Sequence, residues 1–304
     1  MNQPLCNPPL SSNNKPTIGI LGLGSIGCLI ASQIPASLSS FALLKEKFDR
    51  FHFTLQKETS TTEFELPAWS GETLDVLLVC CKASQCLAAL QQWEMAITKN
   101  TQIVLLQNGF GQHDEVHKLY PHNTLFAAST TEGANRKSRF HILHAGSGVT
   151  QWGYYSGPKE NLKLNITLLS GTHIKQKNIK QILLDKLAIN AVINPLTVKY
   201  NCPNGDLLNN KDSAIEFKNL CTETQYFFNI MHWPLSFDLL ERATSVAQLT
   251  QFNISSMLQD VRNQQETEIE YINGYLVNKA KENTIQLPLN EAIYQQVKQF
   301  VYSD

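Results

Sequence analysis

From Thr17 onward the chain alternates short, wholly apolar runs with stretches of helical period. TIGILGLG (17–24) is apolar until it stops in glycines, and LDVLLVCCK (74–82) and TQIVLLQNG (101–109) have the same form. A β-branched-rich run without polar alternation reads as a strand covered on both faces. The helix-period segments between such runs, as in ASQCLAALQQWEMA (83–96), read as the crossovers of βαβ units in a parallel sheet. The stretch 124–153 mixes β-rich pieces with turn signals and is expected to add antiparallel strands to that sheet. After about residue 172 the period becomes helical: segments 178–197, 212–231, 267–283 and the final LNEAIYQQVKQFVY all place apolar residues at helix spacing. Glycine almost disappears there, with only Gly205 and Gly274 after Gly171. The pattern predicts an α/β sheet domain followed by an all-helical one.

Composition narrows the class. The 304 residues are 42% apolar and 17% charged, enough for two domains with cores of their own. Lys+Arg number 25 against Asp+Glu 26, a net charge of −1 that supplies no global field for nucleic acid or an anionic membrane. No run of 18 apolar residues occurs. MNQPLCNPPLSSNNKPT is polar and proline-rich, lacks the apolar core of a secretory signal, and reads as a loose tail. Seven cysteines, an odd number without a CxxC pair, suit a reducing compartment and a cytoplasmic protein. Three of them lie in VLLVCCKASQC, where Cys serves as a small hydrophobe. His113, His117 and His122 cluster in sequence, but the i, i+4 pair reads as part of a surface helix and no metal site is expected.

Candidate chemistry begins at Gly22-Leu23-Gly24-Ser25-Ile26-Gly27, a GxGxxG that follows an apolar strand and precedes the helical CLIASQI. The first glycine permits the tight turn, the second lets backbone approach a pyrophosphate, and the third brings helix close to strand. Dinucleotide binding by a Rossmann-type, doubly wound sheet is the reading. It divides the chain into a tail over 1–16, a dinucleotide-binding domain over 17–170 and a helical substrate and catalytic domain over 171–304. The second strand is expected around SSFALL (39–44), followed by Lys45, Glu46 and Lys47. A lysine at that end favours a 2′-phosphate and therefore NADP, whereas an acidic residue there would favour NAD.

The second half supplies polar groups where a packed core would not want them. Lys186, Asn190 and Asn194 stand at i, i+4 and i+8, a drift of only about 80° that keeps all three on one helix face. Leu187, Ala188, Ala191, Val192 and Ile193 make the rest of that helix apolar. A helix this apolar is buried, so its Lys and Asn need partners or a cleft to line. Further on come Asn204-Gly205 in a turn, then Asn253, Ser255, Ser256, Asp260 and Glu268. Asn253, Ser255 or Ser256 would serve equally as a helix cap. On one straight helix Ser256 and Glu268 would stand roughly 18 Å apart. Both reach one small ligand only if the segment bends, and NQQET is the expected place.

GLGSIG, CCKASQ, QNGFG, KLAINAVINPLT, CPNGDL and SSMLQDVRNQQETEIEYINGY, in that order, resemble the ketopantoate reductase (2-dehydropantoate 2-reductase) family from residue 17 to the C-terminus. The resemblance implies a Rossmann domain and a helical domain with NADPH and a 2-oxo acid in the cleft between them. It implies that Lys186 is the catalytic proton donor, and that Asn108, Asn190, Asn194, Asn204 and Ser256 contact substrate. For the cofactor it implies the residues Gly22 to Gly27, Lys82, Asn108, Ala134 and Glu268, the last near the nicotinamide end and the lysine. The family's arginine at the end of the second strand has no counterpart here, which leaves Lys45 as the candidate for the 2′-phosphate.

These residue types suit the chemistry. Hydride addition to a 2-keto carbon develops negative charge on the carbonyl oxygen, which a lysine ammonium stabilises and then protonates. Neutral amides and hydroxyls suit the substrate's carboxylate and hydroxyl. Glu268 would hold the lysine protonated while burial pulls the other way. Reduction of 2-dehydropantoate to pantoate, a step towards pantothenate, is the leading expectation. A reductase of another 2-oxo acid and a non-catalytic NADPH-binding regulator are the alternatives, and both a monomer and a homodimer remain open.

Overall fold

A computed structural model describes residues 15–302. The expected tail over 1–16 therefore lies, apart from its last two residues, outside the described residues, as does Cys6. The chain opens with β1 (Ile18–Leu21), α1 (Ser25–Gln33) and β2 (Ser40–Leu43). It then forms the hairpin β3 (Arg50–Lys57) and β4 (Ser60–Pro67) and returns as β5 (Val76–Val79). Next come α2 (Cys86–Gln92), β6 (Gln102–Leu105), α3 (Gln112–Leu119) and β7 (Leu125–Thr130). The strands β8 (Gly133–Ser138), β9 (His141–Gly146), β10 (Val149–Ser156) and β11 (Thr172–Lys175) follow. The rest is helical: α4 (Ile179–Tyr200), α5 (Asp206–Asn209), α6 (Lys211–Ile230), α7 (Leu239–Leu249), α8 (Ser256–Arg262), α9 (Asn273–Glu282) and α10 (Pro288–Tyr302).

Seven strands make one sheet in the order β11-β10-β7-β6-β5-β1-β2. From β2 to β7 every pairing is parallel, with Ile18–Leu21 matched residue for residue to Ser40–Leu43 on one side and Val76–Val79 on the other. β1, β5 and β6 are buried along their whole length, as their unbroken apolar runs require. This is the doubly wound arrangement. The order reverses between β1 and β5, so a crevice opens beyond the carboxyl ends of those two strands.

Two features differ from the sequence-based expectation. Stretch 124–153 does not simply add antiparallel strands to the sheet: β7 is parallel to β6, β10 runs antiparallel to β7, and β8 and β9 leave for a second sheet in the order β4-β3-β9-β8. Phe51, Phe53, Leu66 and Ile142 of that second sheet share a core with Cys28 and Ile30 of α1 and Ile18, Ile20, Val76 and Leu78 of the main sheet. The second sheet thus roofs α1. Second, β11 still pairs with β10, so the sheet runs past residue 170 and the helices take over between Lys175 and Ile179.

The opposite face of the main sheet carries the helices. Leu77, Val79, Ile103 and Leu105 form one continuous core with Ile179, Leu183, Leu187, Ala188 and Ala191 of α4. α4 runs through Pro195 without stopping. Proline has no N–H to bond the carbonyl four residues back. The fully buried Asn273 supplies the missing donor, giving Nδ2–H to the Ala191 carbonyl at 2.8 Å. No helix among the described residues is long and apolar enough to cross a membrane.

Candidate active site

The site collects where the parallel strands end. Beyond β1, Gly22 adopts a φ of +94°, and a Cβ there would lie 2.4 Å from the Cys81 nitrogen in the turn after β5. A Cβ on Gly27 would lie 2.1 Å from the Gly22 carbonyl oxygen, so α1 packs onto the turn only because both positions lack side chains. Leu23, Gly24, Ser25 and Ile26 remain half-buried, at the N-terminus of a nine-residue helix. The turn therefore has the open, amide-lined form that a dinucleotide pyrophosphate fits. Beyond β5 comes Lys82, beyond β6 Asn108, and at the end of β7 Thr130. Ala134 lies on β8 in the second sheet, two residues before Arg136, whose Nη2 donates to the Leu23 carbonyl at 3.4 Å.

The helical half meets these strand ends along residues 260–271. α8 ends at Arg262, Gln264 takes a positive φ of 53°, and the chain turns before a short helix at Ile269–Tyr271. The bend expected between Ser256 and Glu268 is thus present. Glu268 Oε2 accepts from Asn108 Nδ2 at 2.9 Å and Oε1 from the Ala83 amide at 3.4 Å. Lys82 pairs with Asp260 at 2.8 Å and also donates to the Glu266 carbonyl, while Ser84 Oγ donates to the Glu266 carboxylate at 3.0 Å. The Phe110 amide donates to the Tyr271 carbonyl at 2.8 Å. Each of these bonds joins the two halves of the molecule.

Lys186 reaches across as well, donating from Nζ to the Thr130 carbonyl at 2.7 Å. Burial pushes its pKa down to about 8, against an upward pull from the Glu268 charge. Burial likewise raises the Glu268 pKa, opposed by its hydrogen bond from Asn108. Asn190 and Asn194 share the Lys186 face of α4, one half-buried and the other buried. Asn204 is buried in the turn before α5, with Nδ2 bonded to Thr250 Oγ1 at 2.8 Å. Its Oδ1 is buried with no hydrogen-bond partner among the described residues.

Ser255 and Ser256, alike in sequence, separate in the fold. Ser255 is the cap of α8, buried, accepting from the Leu258 amide at 3.1 Å and meeting Thr197 Oγ1 at 2.6 Å. Ser256 is exposed. His113 departs from expectation: it is fully buried, stacked on Tyr155 at 4.8 Å, with neither ring nitrogen hydrogen-bonded among the described residues. Its helix is amphipathic, and Gln112, His113 and Val116 form the inner face. Among the described residues no group of three or more His, Cys, Asp and Glu could hold a metal ion. The pattern along the chain did not reveal Arg136 or Thr130, nor that Asp260 pairs with Lys82, because each acts through a partner more than 50 residues away.

Two adjoining matches cover this architecture. Residues 18–157 match the family described as Ketopantoate reductase PanE/ApbA, and residues 178–301 match its C-terminal domain, Ketopantoate reductase PanE/ApbA C terminal. The chain belongs to the ketopantoate reductase family. Among family relatives, the 2-dehydropantoate 2-reductase of Shigella flexneri is 34% identical over 230 residues, 74% of each chain. That of Vibrio cholerae is 31% identical over 294 residues, covering 92% of this chain and 96% of its own. The crystal structure of the probable 2-dehydropantoate 2-reductase of Bacillus subtilis superposes with a TM-score of 0.81 at 27% identity, covering 93% of this chain and 99% of the other. D-mandelate dehydrogenase, solved with NADH and anilino(oxo)acetate, shares the ketopantoate reductase fold at a TM-score of 0.84 and 20% identity, covering 94% and 99%.

Proposed function

We propose that this chain is a 2-dehydropantoate 2-reductase, reducing ketopantoate to (R)-pantoate in pantothenate biosynthesis with NADPH as hydride donor. The observation that carries the reading is Lys186: a half-buried lysine within the electrostatic reach of Glu268, on the same helix face as two asparagines, bonded to the end of β7 in the sheet whose β1 ends in the glycine turn. NADPH, when bound, supplies the hydride to the keto carbon. The chain's own part is electrostatic and positional. The Lys186 ammonium stabilises the charge growing on the substrate oxygen and gives it a proton. A pKa of about 8 leaves the lysine mostly charged at neutral pH yet a better acid than an exposed one. Asn190, Asn194, Asn204 and Ser256 supply neutral hydrogen-bonding groups for the carboxylate and hydroxyl. Asn108 holds Glu268, which keeps a negative charge near the lysine.

The family is an NAD(P)-binding one, and we assign NADPH to this member from the charges beyond β2. Lys45 and Lys47 follow the strand end, and the acidic Glu46 between them is occupied by Arg139 of the β8–β9 turn. A 2′-phosphate there meets two lysines and a carboxylate already neutralised by its neighbour.

The test is oxidation of NADPH by ketopantoate, read from the loss of reduced-nicotinamide absorbance, for the natural chain and for Lys186→Ala. Fast turnover is expected with NADPH and slow turnover with NADH. The variant should lose at least about a thousandfold in kcat, the scale of removing both a proton donor and an electrostatic stabiliser, while binding NADPH nearly as before. Undiminished turnover in Lys186→Ala would remove the mechanism. No turnover of ketopantoate by the natural chain, with NADPH bound, would transfer the site to another 2-oxo acid.

A further inference from the structure

Two residues from the Thr130 carbonyl that holds Lys186 lies a carboxylate–imidazole pair that the proposed reaction does not use. Glu132 Oε2 and His144 Nε2 are 2.6 Å apart, with side chains only 4% and 9% exposed. Removing two ionisable groups from water is costly, and an apolar pair of similar size would pack there without that cost. What the polar pair adds is direction, because the short bend between β7 and β8 is fastened at several points around it. The Glu132 amide donates to Thr130 Oγ1 at 3.1 Å, Thr150 Oγ1 donates to the same oxygen at 3.0 Å, and the Thr131 amide donates to the Val149 carbonyl at 3.0 Å. A Cβ on Gly148 would lie 2.5 Å from the Thr131 carbonyl group, so the turn from β9 to β10 presses flat against the bend.

His144 stands opposite Ala134 in the β8–β9 pairing, and the register slips between Gly133 and Ala134. A bulge of this kind re-aims the residues beside it. The Glu132–His144 bond spans that slip. It ties the start of β8 to β9 on one side and the end of β7 on the other.

We propose that Glu132 and His144 are positioning residues: their bond fixes the β7–β8 bend so that the Thr130 carbonyl is held on the Lys186 ammonium. This rests on the reading of Lys186 as proton donor. Among the described residues the charge that acts on Lys186 is Glu268, with the Lys82–Asp260 pair beyond it, and it belongs to the contact with the helical half. From the sheet, the group facing it is the neutral Thr130 carbonyl, aimed by the pair. A carbonyl acceptor favours the charged lysine, so loosening it lowers the Lys186 pKa while the pull of Glu268 stays as it was.

The experiment uses the full chain with 13C-labelled lysine ε-carbons, the Lys186 signal being assigned by its loss in Lys186→Ala. Titration is followed by NMR without added cofactor, beside the pH profile of kcat/KM, which reports the free enzyme. In Glu132→Ala and His144→Phe the Lys186 titration should move down by about one pH unit, the scale of one lost hydrogen bond to a charged group. The pH at which kcat/KM falls should move with it, and Glu132→Gln, which keeps a hydrogen bond to His144, should restore both. A folded Glu132→Ala whose Lys186 titrates as in the natural chain would overturn the proposal, even with a lowered kcat. If that variant does not fold, Glu132→Asp, one methylene shorter, should move the titration in the same direction, and an unmoved titration there overturns it equally. Should Lys186→Ala keep its turnover, the proton-donor reading fails by itself, and the NMR titration still decides whether the pair holds the lysine.

Discussion

The replacement of a proline's missing N–H by Asn273 gives a sharp test of how the helical half is built. Asn273 Nδ2 serves two acceptors, the Ala191 carbonyl at 2.8 Å and Asn290 Oδ1 at 3.0 Å, in a site with no exposure to water. Asn273→Ala orphans both. Asn290 keeps its own donors on Glu223 and Thr224, so the damage is confined to the two acceptors. Each buried acceptor left without a donor costs about 1–3 kcal/mol. The expected loss, allowing for partial relaxation, is about 2–4 kcal/mol. At roughly 2–4 °C per kcal/mol for domains approaching this size, Tm should fall by about 5–15 °C. Denaturant unfolding would give the free energy directly. The decisive arm is a double-mutant cycle. Pro195→Ala returns a backbone N–H to α4, which can bond the Ala191 carbonyl itself. In that background Asn273→Ala orphans one acceptor fewer and should cost about 1–2 kcal/mol less. A loss within about 0.5 kcal/mol for Asn273→Ala alone, or additive effects across the cycle, would refute the replacement.

Two further outcomes follow from the shifted pKa values. On the proposed role of Lys186 as proton donor, reduction needs it protonated; its pKa in the free chain lies at about 8, so kcat/KM for reduction should be level below that pH and decline as pH rises through it, whereas kcat/KM for the reverse oxidation should rise over the same range. A pH–rate series in both directions reads this, and reduction undiminished at pH 10 would contradict it. His113 is held neutral by burial, its pKa lowered to about 4 from an ordinary 6.5. The unfolded chain binds that proton below about pH 6.5 and the folded one only near pH 4. His113 should therefore cost stability progressively as pH falls through that window and nothing above it. Tm against pH should be flatter for His113→Phe than for the natural chain between pH 6.5 and 4, and parallel curves would refute the assignment.

Much of the scaffold was legible because its signals are local. β1, β5 and β6 are unbroken apolar runs, and α4, α6 and α10 repeat their apolar positions at helix spacing. The roofing sheet was not legible, although β3 alternates Phe51 and Phe53 with His52 and Thr54 as a half-buried strand should. Alternation says that a strand exists and not which strand it joins, and β3 pairs with β9 more than 80 residues away. The site divides in the same way. The glycine turn and the spacing of Lys186, Asn190 and Asn194 are local patterns. Arg136 at the turn, Thr130 on the lysine and the buried face of His113 depend on neighbours from distant strands.

The segments that carry the family resemblance mix groups for chemistry with groups for construction, and the structure separates them. In SSM the first serine caps a helix and is buried, and the second is exposed. In INPLT and YING the proline and the second asparagine are one device. An uninterrupted α4 would satisfy the Ala191 carbonyl from its own backbone, and Asn273 would then serve Asn290 alone. With Pro195 in place, that bond passes instead between α4 and the start of α9, immediately after the turn that holds Glu268 and Tyr271. Tyr271 in turn receives the Phe110 amide from the loop that carries Asn108. The bond removed from inside the lysine helix thus reappears as a tie between that helix and the Glu268–Asn108 contact, so the residues facing one another across the cleft are registered by a hydrogen bond that an ordinary helix would have kept to itself.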